Sequence, residues 1–240
     1  MVYMGSKRRI ARDIIPIMVG IAKNLGATHW VEPFVGGANL IDKVPQRFKR
    51  TGYDANHHTI MALRDIRDNA KGLPSNVTPE LYNSLRGSPP ATITSWIRFA
   101  CSFAAKFEGG YARSRAGDDS SGMARGRKAN ALKQQPLLQD INFIHACFTE
   151  INIQHRSVIY CDPPYQNTTG YKAGEFNHDV FFFSWAREQA AKGHLVFISE
   201  YIAPGDFVCV WQREINQNLN NQGSTIVGKP VEQLFMVVAE

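Results

Sequence analysis

The run Ser157-Val158-Ile159-Tyr160-Cys161 passes directly into Asp162-Pro163-Pro164-Tyr165. A short apolar, β-branched and aromatic run that ends at a proline turn reads as a buried strand. The prolines fix φ and supply no N–H, so the strand cannot continue through them. Other stretches give the same reading. Residues 29–34 predict a short strand that ends in Val35-Gly36-Gly37, with a helical Asn39-Leu40-Ile41 after it. Residues 50–54 predict a second strand, and residues 194–199, 207–211 and 233–239 predict three more. Residues 179–192 read as a helix. Ile10, Ile14, Ile17, Met18 and Ile21 have helical spacing, with a kink or restart expected at Pro16. Strand, glycine turn, helix, strand is the opening of an α/β sheet.

The middle of the chain breaks this pattern. Pro74, Pro79, Pro89 and Pro90 precede a helical stretch around Ile97, Phe99 and Phe103. Residues 107–130 then lose periodicity and read as a loop. Residues 106–133 hold seven basic and three acidic side chains, a net +4 out of the whole chain's +6. The expected division is a sheet domain at residues 1–65 and 141–240, interrupted by a small, mainly helical insertion at residues 66–140.

Composition narrows the function classes. With 240 residues, 44% hydrophobic and 20% charged, the chain can bury a core. No run approaches the roughly 20 apolar residues of a membrane span. Arg12, Asp13 and Lys23 interrupt what would be the apolar segment of a signal peptide. A pI near 9.2 favours a polyanionic partner. Cys101, Cys147, Cys161 and Cys209 form no C-x-x-C pair, so no zinc or redox site is indicated and a reducing cytoplasm is expected. The neighbours of Cys101, Cys147 and Cys209 predict buried thiols.

The chemistry concentrates in two motifs. Asp162 and the carbonyl of Pro163 offer two acceptors that match the two N–H donors of an exocyclic amino group, and Tyr165 offers a stacking face. Gly36-Gly37 lets backbone approach a ligand, but the phosphate-binding glycine patterns are absent, which favours a cofactor without phosphates. Asp54 lies 22 residues after Glu32 at a strand end, a position suited to ribose hydroxyls.

Four motifs together carry a resemblance. Tyr3-Met4-Gly5-Ser6-Lys7, Glu32-Pro33-Phe34-Val35-Gly36-Gly37, Asp54-Ala55-Asn56 and Cys161-Asp162-Pro163-Pro164-Tyr165 resemble, in order and spacing, those of the Dam-type (D12 class) DNA adenine-N6 methyltransferases of bacteria and bacteriophages. The resemblance covers residues 1 to about 60 and 157–240, including a closing Lys229-Pro230-Val231-Glu232-Gln233-Leu234-Phe235. It implies a Rossmann-like fold that uses S-adenosylmethionine (SAM). Tyr3, Gly5, Lys7, Glu32, Phe34, Gly36, Asp54 and Asp162 would hold the cofactor, and Asp162, Pro163 and Tyr165 would act on a flipped adenine. The insertion would read double-stranded DNA, with Phe107 as an intercalating aromatic, Arg113 or Arg115 reading a base, and Arg125, Arg127 and Lys128 on phosphates. No metal and no obligate protein partner is implied.

Three rivals stand beside this reading. One is methylation of another amino group, on RNA or guanine. A second is a DNA-binding protein without catalysis. The third is cytosine-N4 transfer, where a serine usually replaces the aspartate, so Asp162 favours adenine.

Overall fold

The computed structural model describes residues 1–113, 121–164, 178, 182–214 and 231–238. The protein has a mixed α/β fold with a seven-stranded sheet, in keeping with the sequence pattern. The chain forms two compact units, Met1–Arg12 with Phe34–Ile151, and Asp13–Pro33 with Asn152–Glu240.

The second unit contains β1 (His29–Glu32), β4 (Ser157–Cys161), β5 (Leu195–Glu200), β6 (Phe207–Glu214) and β7 (Val231–Val237). β1, β4 and β5 run parallel, β7 pairs antiparallel with β5, and β6 with β7. All five residues of β4 are buried. That explains its unbroken apolar run, because a parallel strand covered on both faces shows no alternation. Tyr160 hydroxyl meets Ser199 Oγ at 2.8 Å, so the one polar group this tyrosine buries is satisfied. Helix α1 (Ala11–Asn24) runs through Pro16 as one element. Its buried Ile14, Ile15, Met18 and Ala22 outweigh the single backbone bond lost at an exposed proline. Helix α6 (Phe183–Ala191) covers the described end of the helix expected at residues 179–192.

The first unit contains β2 (Lys49–Asp54) and β3 (Ile141–His145), parallel and in register with Asp54 opposite His145. The helix expected at Asn39-Leu40-Ile41 is only a 3-10 turn, Ile41–Lys43. Gly36 and Ala38 sit at φ of 48° and 55°, and Pro45 follows closely, so no room remains for a regular helix. Helices α2 (His57–Asn69), α3 (Pro79–Ser84), α4 (Thr92–Ala100) and α5 (Ser121–Leu138) complete the unit. Asn56 caps α2 by accepting from the His58 amide at 3.0 Å, and Thr78 caps α3 ahead of Pro79 at 3.2 Å.

Helices α4 and α5 pack on α2, in the unit that also holds β2 and β3. Two expectations are corrected here. The stretch read as a loop over 107–130 includes the start of α5, which carries Arg125, Arg127 and Lys128. Cys209 is exposed because β6 shows solvent much of its length, and Cys147 is half-buried ahead of the 3-10 turn Phe148–Glu150; Cys101 and Cys161 are buried, and all four are free thiols.

Candidate active site

Within the first unit the glycine turn Val35-Gly36-Gly37 lies against the end of β2. The Gly36 amide donates to Asp54 Oδ2 at 3.0 Å, and the Asn56 amide to Oδ1 at 2.9 Å. The Val35 amide donates to the Tyr53 carbonyl at 2.8 Å. The carboxylate thus ties the turn to the end of β2. Burial pushes the Asp54 carboxyl up to about 6, against the lowering effect of both amides and of His145. Among the described residues no lysine or arginine pairs with it, so its remaining lone pairs stay available.

The two glycines answer first to the protein's own packing. A Cβ on Gly36 would lie 2.9 Å from Tyr3 Cε1, and one on Gly37 would lie 2.7 Å from the Met1 carbonyl. The structure therefore brings Tyr3, Gly36 and Asp54 together. The Tyr3 ring also lies 5.6 Å from Phe99. Phe34 is half-buried and tilted against Phe148 at 5.6 Å. Gly5 has φ of 77°, and Lys7 Nζ donates to its carbonyl at 3.3 Å. His57 and His145 stack at 4.5 Å, and His145 Nε2 donates to the Ala55 carbonyl at 3.0 Å. Sequence reasoning missed His145 because β3 was not recognised, although strand register sets it beside Asp54.

The second cluster lies wholly in the second unit, at the carboxyl ends of parallel β1 and β4, where open α/β sheets bind ligands. Glu32 ends β1, is buried, and accepts from Trp30 Nε1 at 3.0 Å. Cys161 ends β4 fully buried, and Asp162 follows it half-buried, with Pro163 buried and Pro164 half-buried. Burial, reinforced by Asp162 and Glu32, pushes the Cys161 thiol well up. It is not poised as a thiolate nucleophile. Tyr165 lies outside the described residues.

The Phe107 region is built inward. Phe107 is half-buried, 4.9 Å from Phe99 and 4.8 Å from His58, with the Arg98 guanidinium 4.4 Å above its ring. Glu108 pairs with buried Arg98 and accepts from the Gly87 amide at 2.9 Å. Arg98 also donates to His58 Nε2 at 3.1 Å, which leaves Nδ1–H to donate to Ser95 Oγ at 3.0 Å. Burial, then Arg98, lowers the His58 pKa to about 4. Tyr111 hydroxyl donates to the Val77 carbonyl at 2.6 Å. Phe103, beyond the end of α4, is instead 68% exposed. Arg113 and Arg125 are exposed, Arg127 and Lys128 half-buried, and Arg115 lies outside the described residues.

Among the described residues, no helix is long and apolar enough to cross a membrane, and no group of His, Cys, Asp and Glu is arranged to hold a metal ion. No protein-family model and no curated protein matches the chain. Solved structures similar to it include two of the rRNA methyltransferase aviRa from Streptomyces viridochromogenes, at 9% and 10% identity, each with TM-score 0.47 and covering 98% of this chain and 86% of that one.

Proposed function

We propose that the chain is a SAM-dependent methyltransferase acting on the N6 amino group of adenine in double-stranded DNA. The observation that carries the reading is the Asp162-Pro163-Pro164 turn, whose Asp162 is half-exposed at the end of a fully buried parallel strand and next to the end of β1. An acidic proline turn needs no such placement to be a turn. At this end of a parallel sheet it faces the usual ligand side.

The residues of the first unit fit the cofactor. Asp54 is a carboxylate held by two backbone amides, with no Lys or Arg partner among the described residues, as a ribose-hydroxyl acceptor requires. Tyr3, Gly36 and Phe34 would line the same cofactor, with Gly5 and Lys7 as further contacts. Bound SAM supplies a methyl group made electrophilic by its sulfonium.

The adenine amino group is a poor nucleophile because its lone pair is delocalised into the ring. Asp162 Oδ and the Pro163 carbonyl would accept both of its hydrogens and favour a pyramidal nitrogen. Those bonds strengthen as the transition state forms, which is the condition for catalysis. The chain then needs only in-line placement of the two reactants. No enzyme nucleophile takes part, in keeping with the suppressed Cys161 thiol. Tyr165 would stack on the flipped base, and extrusion costs a few kcal/mol. Arg113, Arg125, Arg127 and Lys128 would meet the duplex.

The test is methyl transfer from labelled SAM to duplex DNA and to RNA in parallel, with the product nucleoside identified by mass spectrometry. N6-methyladenine in DNA alone supports the reading. Label only in RNA, or on cytosine or guanine, overturns it.

A further inference from the structure

The turn after β4 is held by a side chain for which the proposed reaction has no role so far. His178 Nε2 lies 2.7 Å from the Pro164 carbonyl oxygen. A carbonyl only accepts, so Nε2 carries the proton in either state of the ring. The same Nε2 lies 3.6 Å from Glu200 Oε2, an electrostatic contact too long for a hydrogen bond. Both side chains are buried, at 7% and 3% exposure. The ring stands edge-on to Phe182, with centroids 6.4 Å apart. Glu200 is itself fixed. It ends β5, pairs with Gln233 of β7, and its Oε1 accepts from the Tyr201 amide at 2.8 Å.

We infer that His178 is a positioning residue that clamps the Asp162-Pro163-Pro164 turn to the end of β5 by holding the Pro164 carbonyl. The inference rests on the proposed function for what the clamp serves. In a Pro-Pro turn both φ angles are locked by the rings. The soft torsion left at its exit is ψ of Pro164, and that torsion sets where the Pro164 oxygen points. A buried N–H donor anchored beside a buried carboxylate fixes it. With its entry fixed by buried β4 and its exit pinned at the Pro164 oxygen, the short turn that carries the Asp162 and Pro163 acceptors is held at both ends before substrate arrives, as electrostatic preorganisation requires. His178 need not touch substrate or cofactor.

Two substitutions of similar bulk separate the donor from the space it fills. His178→Gln keeps an N–H donor, whereas His178→Met fills the site without one. In the full chain, kcat of His178→Met should fall about 10–100-fold, the scale of a small misplacement of reacting groups. KM for SAM and for DNA should stay within a few-fold in both variants, and His178→Gln should recover most of kcat. A second readout needs no turnover: with 13C-carbonyl proline, the Pro164 resonance should shift in His178→Met and stay near its wild-type position in His178→Gln. Wild-type kcat in His178→Met, equal loss in both variants, or an unmoved Pro164 resonance overturns the clamp. Wild-type protein that transfers no methyl group to adenine overturns the proposed function, while the carbonyl resonance still decides whether the clamp exists.

Discussion

Asp54 and Glu108 belong to the same unit, and each holds a loop through backbone amides, but their surroundings differ. Glu108 faces the guanidinium of Arg98 and accepts from Gly87, and those contacts pull its carboxyl below its ordinary value despite partial burial. Asp54 accepts from Gly36 and Asn56, has no Lys or Arg partner among the described residues, and is pushed up to about 6. The first acid is spent on the fold: it neutralises a buried arginine and closes the Phe107 loop. The second keeps acceptor capacity beside a glycine turn. An acid without a cation partner at a strand end marks a ligand site better than the presence of an acid does.

The contrast is sharpest in what each substitution should damage. The largest effect is expected at Asp162, the half-exposed acid of the β4 turn. Asp162→Ala should lower methyl transfer by about 10²–10³ while circular dichroism and thermal unfolding remain those of a folded protein. Near-normal turnover would remove Asp162 from the mechanism.

Next is the acid spent on the fold. Arg98→Met strips Glu108 and the Ser88 carbonyl of their shared donor, so urea unfolding should show a loss of about 2–4 kcal/mol. SAM affinity of the folded fraction should be unchanged. A large loss of SAM binding without loss of stability would reverse the assignment of the two acids.

Asp54→Ala should weaken SAM binding by roughly 1.5–3 kcal/mol, and Asp54→Asn by less, as read by calorimetry. The pH dependence carries a definite sign. The folded, unliganded pKa of about 6 lies above the ordinary 3.8, so the stability this group contributes is present at low pH and falls as pH rises from about 4 through 6. Ligand binding runs the other way: SAM affinity should decline as pH falls through about 6 and Asp54 loses its charge. Asp54→Asn should flatten that decline. An equal decline in the variant would assign it to another group.

Much of this was legible in the chain. β4 and β5 were visible because buried parallel strands leave unbroken apolar runs, and Asp54 was visible from its distance to Glu32. β3 was missed because it alternates, with Asn142 and His145 exposed, over only five residues. The start of α5 was missed because Gly122, Gly126 and three basic residues hide a helix whose buried face there is narrow, Ala124 and Ala131. Phe107 was expected to intercalate, but it packs under Arg98 and against His58, and the second of these lies 49 residues away in the chain. His178 and Glu200 meet only in three dimensions.

The smallest effect is expected on the basic surface. Arg125→Ala, at an exposed position of α5, should weaken binding on every duplex alike and reduce the salt slope by about 0.9. Arg113→Ala should instead relax site choice, by roughly 1–3 kcal/mol of discrimination, if it reads a guanine. Unchanged salt slope and site preference in both would make the positive charge ordinary surface.

The most direct measurement of the central claim is SAM-dependent methyl transfer by the wild-type chain and by Asp162→Ala, on duplex DNA with RNA of the same sequence as control. The account predicts N6-methyladenine in DNA from wild type, and a loss of about 10²–10³ in a folded Asp162→Ala protein. Methylated RNA without methylated DNA, or equal rates from the two proteins, would contradict it.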